Sequence, residues 1–380
     1  MAQDRRPVLR HRGETASLSQ VGIRRSLATL DPGYFAYVMA SGIVSVGADL
    51  LGYRLLSEVV LVFTIVGFVA LAVAYGARVL WLGPSFRESL RDPTSAMAYF
   101  TVVAGTDVLG IRLHMAGHPV VTLGLGAGAA LVWLLLTYGL PWSIVASARR
   151  PVLGEINGTW LIWVVATQSL SIVAAALAPV APSLQLRDVL PAIAVCLWGV
   201  GVMLYLILIV IIFLRLLLVE VTPAEMGPAY WIAMGATAIS VRAAAGILVL
   251  HGSQAGIVVQ LRPFLIGLSV VLWAFGTWWI PLLVAFGVWR YVIRRYSTTY
   301  EPRLWSVVFP LGMYTVASYT LGKAAGLAFM VSVARIWVFV GAGAWVAVLA
   351  LMSASFVAAG ARHPRGPDRS RSSPEPRTEP

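Results

Sequence analysis

The chain alternates between two kinds of long apolar stretch. About ten runs of membrane length follow one another, and polar residues gather in every second run. Spans are predicted at 33–50, 56–82, 94–113, 118–146, 156–179, 189–218, 228–250, 263–293, 303–322 and 330–358. Most reach the roughly 20 residues that cross a bilayer core. The odd spans carry Ser41 and Ser45; Thr101, Thr106 and Asp107; Thr159, Thr167, Gln168, Ser169 and Ser171; Thr237, Ser240 and Arg242; Thr315, Ser318 and Thr320. The even spans are close to pure hydrocarbon. The sixth has no Ser, Thr, Asn or Gln after Pro191, and the second has only Thr64 within it and Ser57 and Glu58 at its mouth. A polar group in lipid finds no hydrogen-bond partner, so polar residues in spanning helices face protein or a watery cavity. The alternation predicts an all-α polytopic membrane protein, with an inner ring of odd helices around a central pore and an outer ring of even helices.

Composition removes the soluble alternatives. Of 380 residues, 59% are hydrophobic and only 12% charged, with mean hydropathy +0.83. Soluble domains carry about 25% charged residues. The net charge of +12 would suggest nucleic acid in a soluble protein. Here the arginines cluster in loops and tails and read as topology-setting charge, so no nucleic-acid partner is expected. Placing the N-terminus in the cytoplasm puts most Lys and Arg on that side, including Arg87, Arg91, Arg149, Arg150, Arg215, Arg290, Arg294 and Arg295. Both tails are then cytoplasmic in a multi-pass protein of the plasma (inner) membrane. The domain plan is an Arg-rich tail at 1–32, a ten-helix domain at 33–358 and a disordered tail at 359–380. The pairs Arg5-Arg6 and Arg24-Arg25 lack a cleavage site and a soluble domain after them, so no secretion signal is read there. The lone Cys196 rules out an intrachain disulfide.

Candidate chemistry is sparse. No metal spacing, nucleophile elbow or phosphate loop appears, so no enzyme, metal or cofactor is expected. His114 and His118 stand four apart, but Gly117 and Pro119 interrupt any helix there. Ser41, Gly42, Ser45, Thr101, Thr106, Thr167, Gln168, Thr237, Ser240, Thr315 and Ser318 are candidate pore-lining positions, because small and hydroxyl-bearing residues line a narrow path without binding an ion tightly. Each of them also suits tight helix packing. Asp107 and Arg242 sit at membrane depth as a candidate charge pair, either structural or functional. The fourth span has Gly124 and Gly128 in GxxxG spacing, around Gly126, and the tenth has Gly341 and Gly343. Pro310 interrupts the ninth span beside Phe309, with Gly312 close by, which predicts a kink that aims the ring off the helix axis.

Three segments resemble a known family. They are Trp305 to Ser318 with its Phe309-Pro310-Leu-Gly312 core, the first-span segment Pro32 to Ile43, and Gly227-Pro228-Ala-Tyr-Trp231-Ile232. All are similar to segments of the tellurite-resistance/dicarboxylate transporter family. That family includes slow-type plant anion channels, fungal malate permeases and sulfite efflux pumps. One departure is Gly235-Ala-Thr237-Ala, where relatives often have a Gly-Pro element. The resemblance implies five helical hairpins, a pore within each subunit of a homotrimer, and a phenylalanine of the ninth helix closing that pore. Phe309 is the matching residue. The expected role is an anion channel or passive transporter for a small inorganic or carboxylate anion. The alternative is a proton-coupled carrier for C4-dicarboxylate, sulfite or tellurite-type anions, with Asp107 taking the proton.

Overall fold

A computed structural model of the chain describes residues 27–146, 152–250, 256–297 and 299–361. Apart from 27–32 and 359–361, the two tails lie outside the described residues. Among the described residues, ten helices form the bodies of ten membrane-length spans: α1 (Ala36–Leu50), α2 (Arg54–Trp81), α3 (Phe100–Met115), α4 (Pro119–Ala146), α5 (Ile162–Leu177), α6 (Leu184–Leu218), α7 (Ile232–Leu248), α8 (Gly256–Val288), α9 (Trp305–Ala325) and α10 (Ala328–Ala361).

The odd helices begin in a common way. Tight turns Pro32–Phe35, Gly158–Leu161, Pro228–Trp231 and Pro302–Leu304 lead into α1, α5, α7 and α9, and a short helix Pro93–Ala98 leads into α3. Proline suits a helix start because its missing N–H is unpaired there in any case. Three starts are also capped. Asp31 accepts from the Gly33 N–H at 2.7 Å, Asp92 from Ser95 at 3.0 Å and Asn157 from Thr159 at 2.9 Å.

The two helix classes differ in length and burial. The odd helices have 15 to 21 residues and the even ones 28 to 35. A 15-residue helix is about 22 Å long, short of a hydrocarbon core of about 30 Å. Such a helix needs protein around it. The odd spans are 72, 83, 89, 83 and 78% buried along their most apolar stretch, the even ones 17, 33, 39, 28 and 22%. Each odd helix packs on the even helix that follows it. Contacts among the odd helices run α1–α3–α5–α7–α9 and back to α1.

Two helices start well before their expected positions. Helix α6 starts at Leu184 and α8 at Gly256, because both run through prolines, Pro191 and Pro263, near their starts. Spanning helices tolerate such residues when neighbours satisfy the freed backbone groups. The apolar junction of α9 and α10 is split by Gly326, whose φ of 71° lets the chain turn left-handed while the Leu327 N–H bonds back to the Gly322 carbonyl.

Candidate functional site

Three cavities lie in series among the odd helices. The first, about 280 Å³, sits where their N-terminal ends converge and takes lining from Ala36, Thr101, Ile162, Ala229 and Ser306. The last, about 360 Å³, opens at the C-terminal ends of α5, α7 and α9 beside Pro179, Arg242, Gly246, Tyr319, Thr320 and Lys323. Between them is a space of about 20 Å³, room for roughly one water. Every odd helix contributes to it: Ile43 and Val46, Asp107 with Val108 and Ile111, Ser169 and Ile172, Arg242, and Met313 with Val316.

One face of α9 passes all three. Ser306, Met313, Val316 and Thr320 line the cavities in order. Their spacing marks one side of a helix. Phe309 falls on the same side, between Ser306 and Met313, and is fully buried. Helix α9 runs unbroken through Pro310. A Cβ on Gly235 of α7 would come within 2.8 Å of Pro310 Cγ and 3.4 Å of Phe309 Cε1. Gly312 is pressed equally hard: its Cβ would meet Ile43 Cγ2 at 2.9 Å, while Gly341 of α10 approaches its backbone. Gly343, Gly124 and Gly128 meet nothing within 4 Å, whereas Gly126 abuts Val173 of α5.

The candidate pore-lining hydroxyls mostly point the other way. Ser41 accepts from the Trp345 indole at 2.9 Å, Thr167 from Trp133 at 2.9 Å and Ser318 from Trp273 at 2.8 Å. Each tryptophan stands on an even helix. The Ser240 carbonyl accepts from Trp198, and the Gln168 amide donates to the Trp198 carbonyl. Ser45 is bonded to Ser57 of α2, and Gly42 abuts Val108 and Thr64. Thr237 faces Gly276 of α8, Thr315 lies against Gly47 of α1, and Thr106 bonds its own helix at the Val102 carbonyl. Of that set, Thr101 alone lines one of the three cavities. The correction has a physical cause. An indole N–H on a lipid-side helix has no acceptor in hydrocarbon, and a hydroxyl on the buried helix supplies one. Trp133→Phe is therefore expected to cost about 0.5–2 kcal/mol of stability and to leave ion selectivity unchanged. Unfolding in mixed micelles, read beside bilayer currents, tests both halves.

Asp107 and Arg242 meet at the small central space without forming the expected pair. Among the described residues no salt bridge within 4.0 Å joins them. Ser169 donates to Asp107 Oδ2 at 2.7 Å, and Oδ1 is buried with no partner. The Arg242 guanidinium lies over Gly246, where a Cβ would sit 2.9 Å from Nη1.

A family model described as voltage-dependent anion channel matches residues 29–353. The chain belongs to the voltage-dependent anion channel family. The matched range holds all three segments that carried the resemblance. An uncharacterized membrane protein of Mycobacterium tuberculosis is 49% identical over 144 residues, covering 38% of this chain and 68% of its own. An uncharacterized transporter of Methanocaldococcus jannaschii is 26% identical over 305 residues, 77% of this chain and 83% of its own. A sulfite efflux pump of Arthroderma otae is 24% identical over 356 residues, 83% of this chain and 90% of its own.

This anion-channel family member also uses arginines that read as topology charges in the sequence. Four are buried. Arg78 donates to the Leu30 carbonyl at 2.6 Å and borders the first cavity. Arg112 reaches Ser45, Ser57 and Asp49. Arg215 holds the Gly154 carbonyl, the Tyr230 hydroxyl and Glu225. The Thr222 backbone N–H and hydroxyl keep that glutamate below the usual carboxylate range, with Arg215 adding to them. Arg290 holds the Met226 carbonyl and Glu301, with the Tyr296 ring 4.3 Å from its guanidinium carbon. The signal available in the sequence was an acid in each adjoining loop or helix end, Asp49, Glu225 and Glu301.

Proposed function

We propose that the chain conducts small inorganic or carboxylate anions passively across the plasma membrane, through a path inside the cycle of odd helices that Phe309 closes. One observation carries this reading: Phe309 stands on the cavity-lining face of α9, between the first cavity and the central space. An apolar constriction of that kind blocks ions by dewetting. The field along the path favours anions. Five helix starts open on the first cavity, each equivalent to about half a positive charge, and among the described residues Arg78 and Arg303 border it against one carboxylate, Asp31. Arg242 and Lys323 border the last cavity, which has no acidic lining among the described residues. The orientation with both termini cytoplasmic and assembly as a homotrimer belong to the same reading. The charge distribution of the loops supports the first, and the family resemblance supports the second.

A second reading is favoured by one feature, the unpartnered Asp107 oxygen at the constriction. A buried carboxylate there suits a proton-coupled carrier, and the sulfite pump among the relatives points to an oxyanion cargo. Tellurite and C4-dicarboxylates belong to the same class of cargo. Currents from the purified protein in planar bilayers under a salt gradient separate the two. A channel reverses near the equilibrium potential of the anion and does not saturate. Reversal at the cation potential would refute the proposal, and saturable, pH-driven uptake without current would establish the carrier.

A further inference from the structure

Among the described residues, Asp107 and Arg242 are the only charged or titratable groups that line the central space; the other odd helices face it with Ile43, Val46, Ser169, Ile172, Met313 and Val316. Neither charge is neutralised by the other. Among the described residues, no hydrogen bond or salt bridge engages the Arg242 guanidinium. Asp107 has one oxygen held by Ser169 and one left unpaired. An unpaired buried acceptor is costly, and the half-buried Arg242 brings a guanidinium with no protein partner among the described residues to the same space. A ligand that satisfies both must accept from the guanidinium and donate to the carboxylate.

Resting on the anion path proposed above, we infer that these two residues form a binding site for small oxyanions that still carry one proton. The deprotonated oxygen accepts from Arg242, and the O–H donates to Asp107 Oδ1. A fully deprotonated anion would set lone pairs against Oδ1, and a cation would meet Arg242. The apolar walls add to the preference, because a dianion loses far more hydration on entering them than a monoanion does. Space is consistent with this. The central space of about 20 Å³ shares Ile172 and Arg242 with the cavity of about 360 Å³. The anion rests on the floor of the wider cavity and directs its O–H inward.

The test uses full-length protein in liposomes, with sulfite and nitrate as probes and flux through protein-free vesicles subtracted. Lowering pH converts sulfite to hydrogensulfite and leaves nitrate unprotonated. The wild-type sulfite-to-nitrate flux ratio is expected to rise with the hydrogensulfite fraction. In Asp107→Asn the ratio should fall about tenfold or more and lose its pH dependence. Asn keeps an acceptor for Ser169, so the fold is maintained. If that variant aggregates, the wild-type pH profile still decides, together with Arg242→Gln, which should raise the half-saturating sulfite concentration, and Arg242→Lys, which should restore it in part. A ratio that rises with the sulfite dianion, or is unchanged in Asp107→Asn, overturns the site while leaving the path intact. No flux of either probe, in wild type or in Phe309→Ala, removes the path and the site together.

Discussion

Phe309→Ala is expected to raise anion current in planar bilayers by about tenfold or more if the ring is the apolar closure proposed between two cavities. The ring is fully buried and lies one helical turn from Ser306 on one side and from Met313 on the other. On the proposed reading, taking the ring away opens a void on the side of α9 that carries Ser306 and Met313 and connects the spaces above and below it. Its neighbours are poorly placed to fill that void. Across from the ring is Gly235, which has no side chain to move in, and the Pro310 ring already fills the gap beside it. Selectivity for anions should survive, since the helix starts, Arg78, Arg303, Arg242 and Lys323 are untouched. A buried Phe→Ala change also costs about 3–5 kcal/mol of stability. Phe309→Leu, which keeps apolar bulk, serves as the paired variant and should give a current between wild type and alanine. Wild-type current from a monodisperse Phe309→Ala protein would mean that the ring only packs, and the closure would have to be sought among Ile43, Val108 and Met313.

The hydrophobic pattern made the architecture legible for a simple reason: polar residues cannot face lipid, so the stretches that carry them must be covered. Burial divides along that line. The reason for the polarity was not legible. Ser41 and Trp345 are 304 residues apart, and nothing local says that an indole on the last helix needs the hydroxyl on the first. The polar positions marked which helices are inside, and several of their hydroxyls, those of Ser41, Ser45, Thr167, Ser171 and Ser318, bond to the outside helices. The facing of each odd helix was hidden for a related reason. A helix covered on every side has no contrast between wet and greasy faces, so Thr101 could not be told from Thr106 by its sequence context. Asp107 and Arg242 stood out because charge at that depth always needs an account. Ser169, which completes the Asp107 site, was one hydroxyl among many. Phe309 gained its candidacy from the resemblance, and Pro310 alone would not have singled it out. The buried arginines misled in the opposite sense, since counting charge by loop takes no notice of where a long side chain folds back.

The largest structural effect is expected at a residue that the sequence did not single out. Gly158→Ala should lower the thermal midpoint of the protein in micelles sharply. Gly158 opens the turn into α5, where its position would bring a Cβ to 2.2 Å from the Ala229 carbonyl oxygen, 2.5 Å from its carbon and 2.8 Å from Tyr230 Cα. All three are backbone atoms of the turn into α7, so no side chain can rotate away. The two turns have to separate. Overpacking of this kind costs about 1–3 kcal/mol and sometimes more, and Val in place of Ala should leave little folded protein. Separation would also reach the path. Ala229 and Thr159 line the first cavity, and Tyr230 bonds to Arg215 in the adjoining one. Whatever fraction folds should therefore show altered conductance as well as lower stability. Gly128→Ala is the control, because nothing lies within 4 Å of its Cβ position. Alanine is favoured over glycine in a helix by about 1 kcal/mol, so that variant should be neutral or slightly stabilised. Equal midpoints for the two variants, read by size exclusion after heating, would mean that the turns into α5 and α7 are not held in backbone contact, and that the first cavity is wider than its 280 Å³.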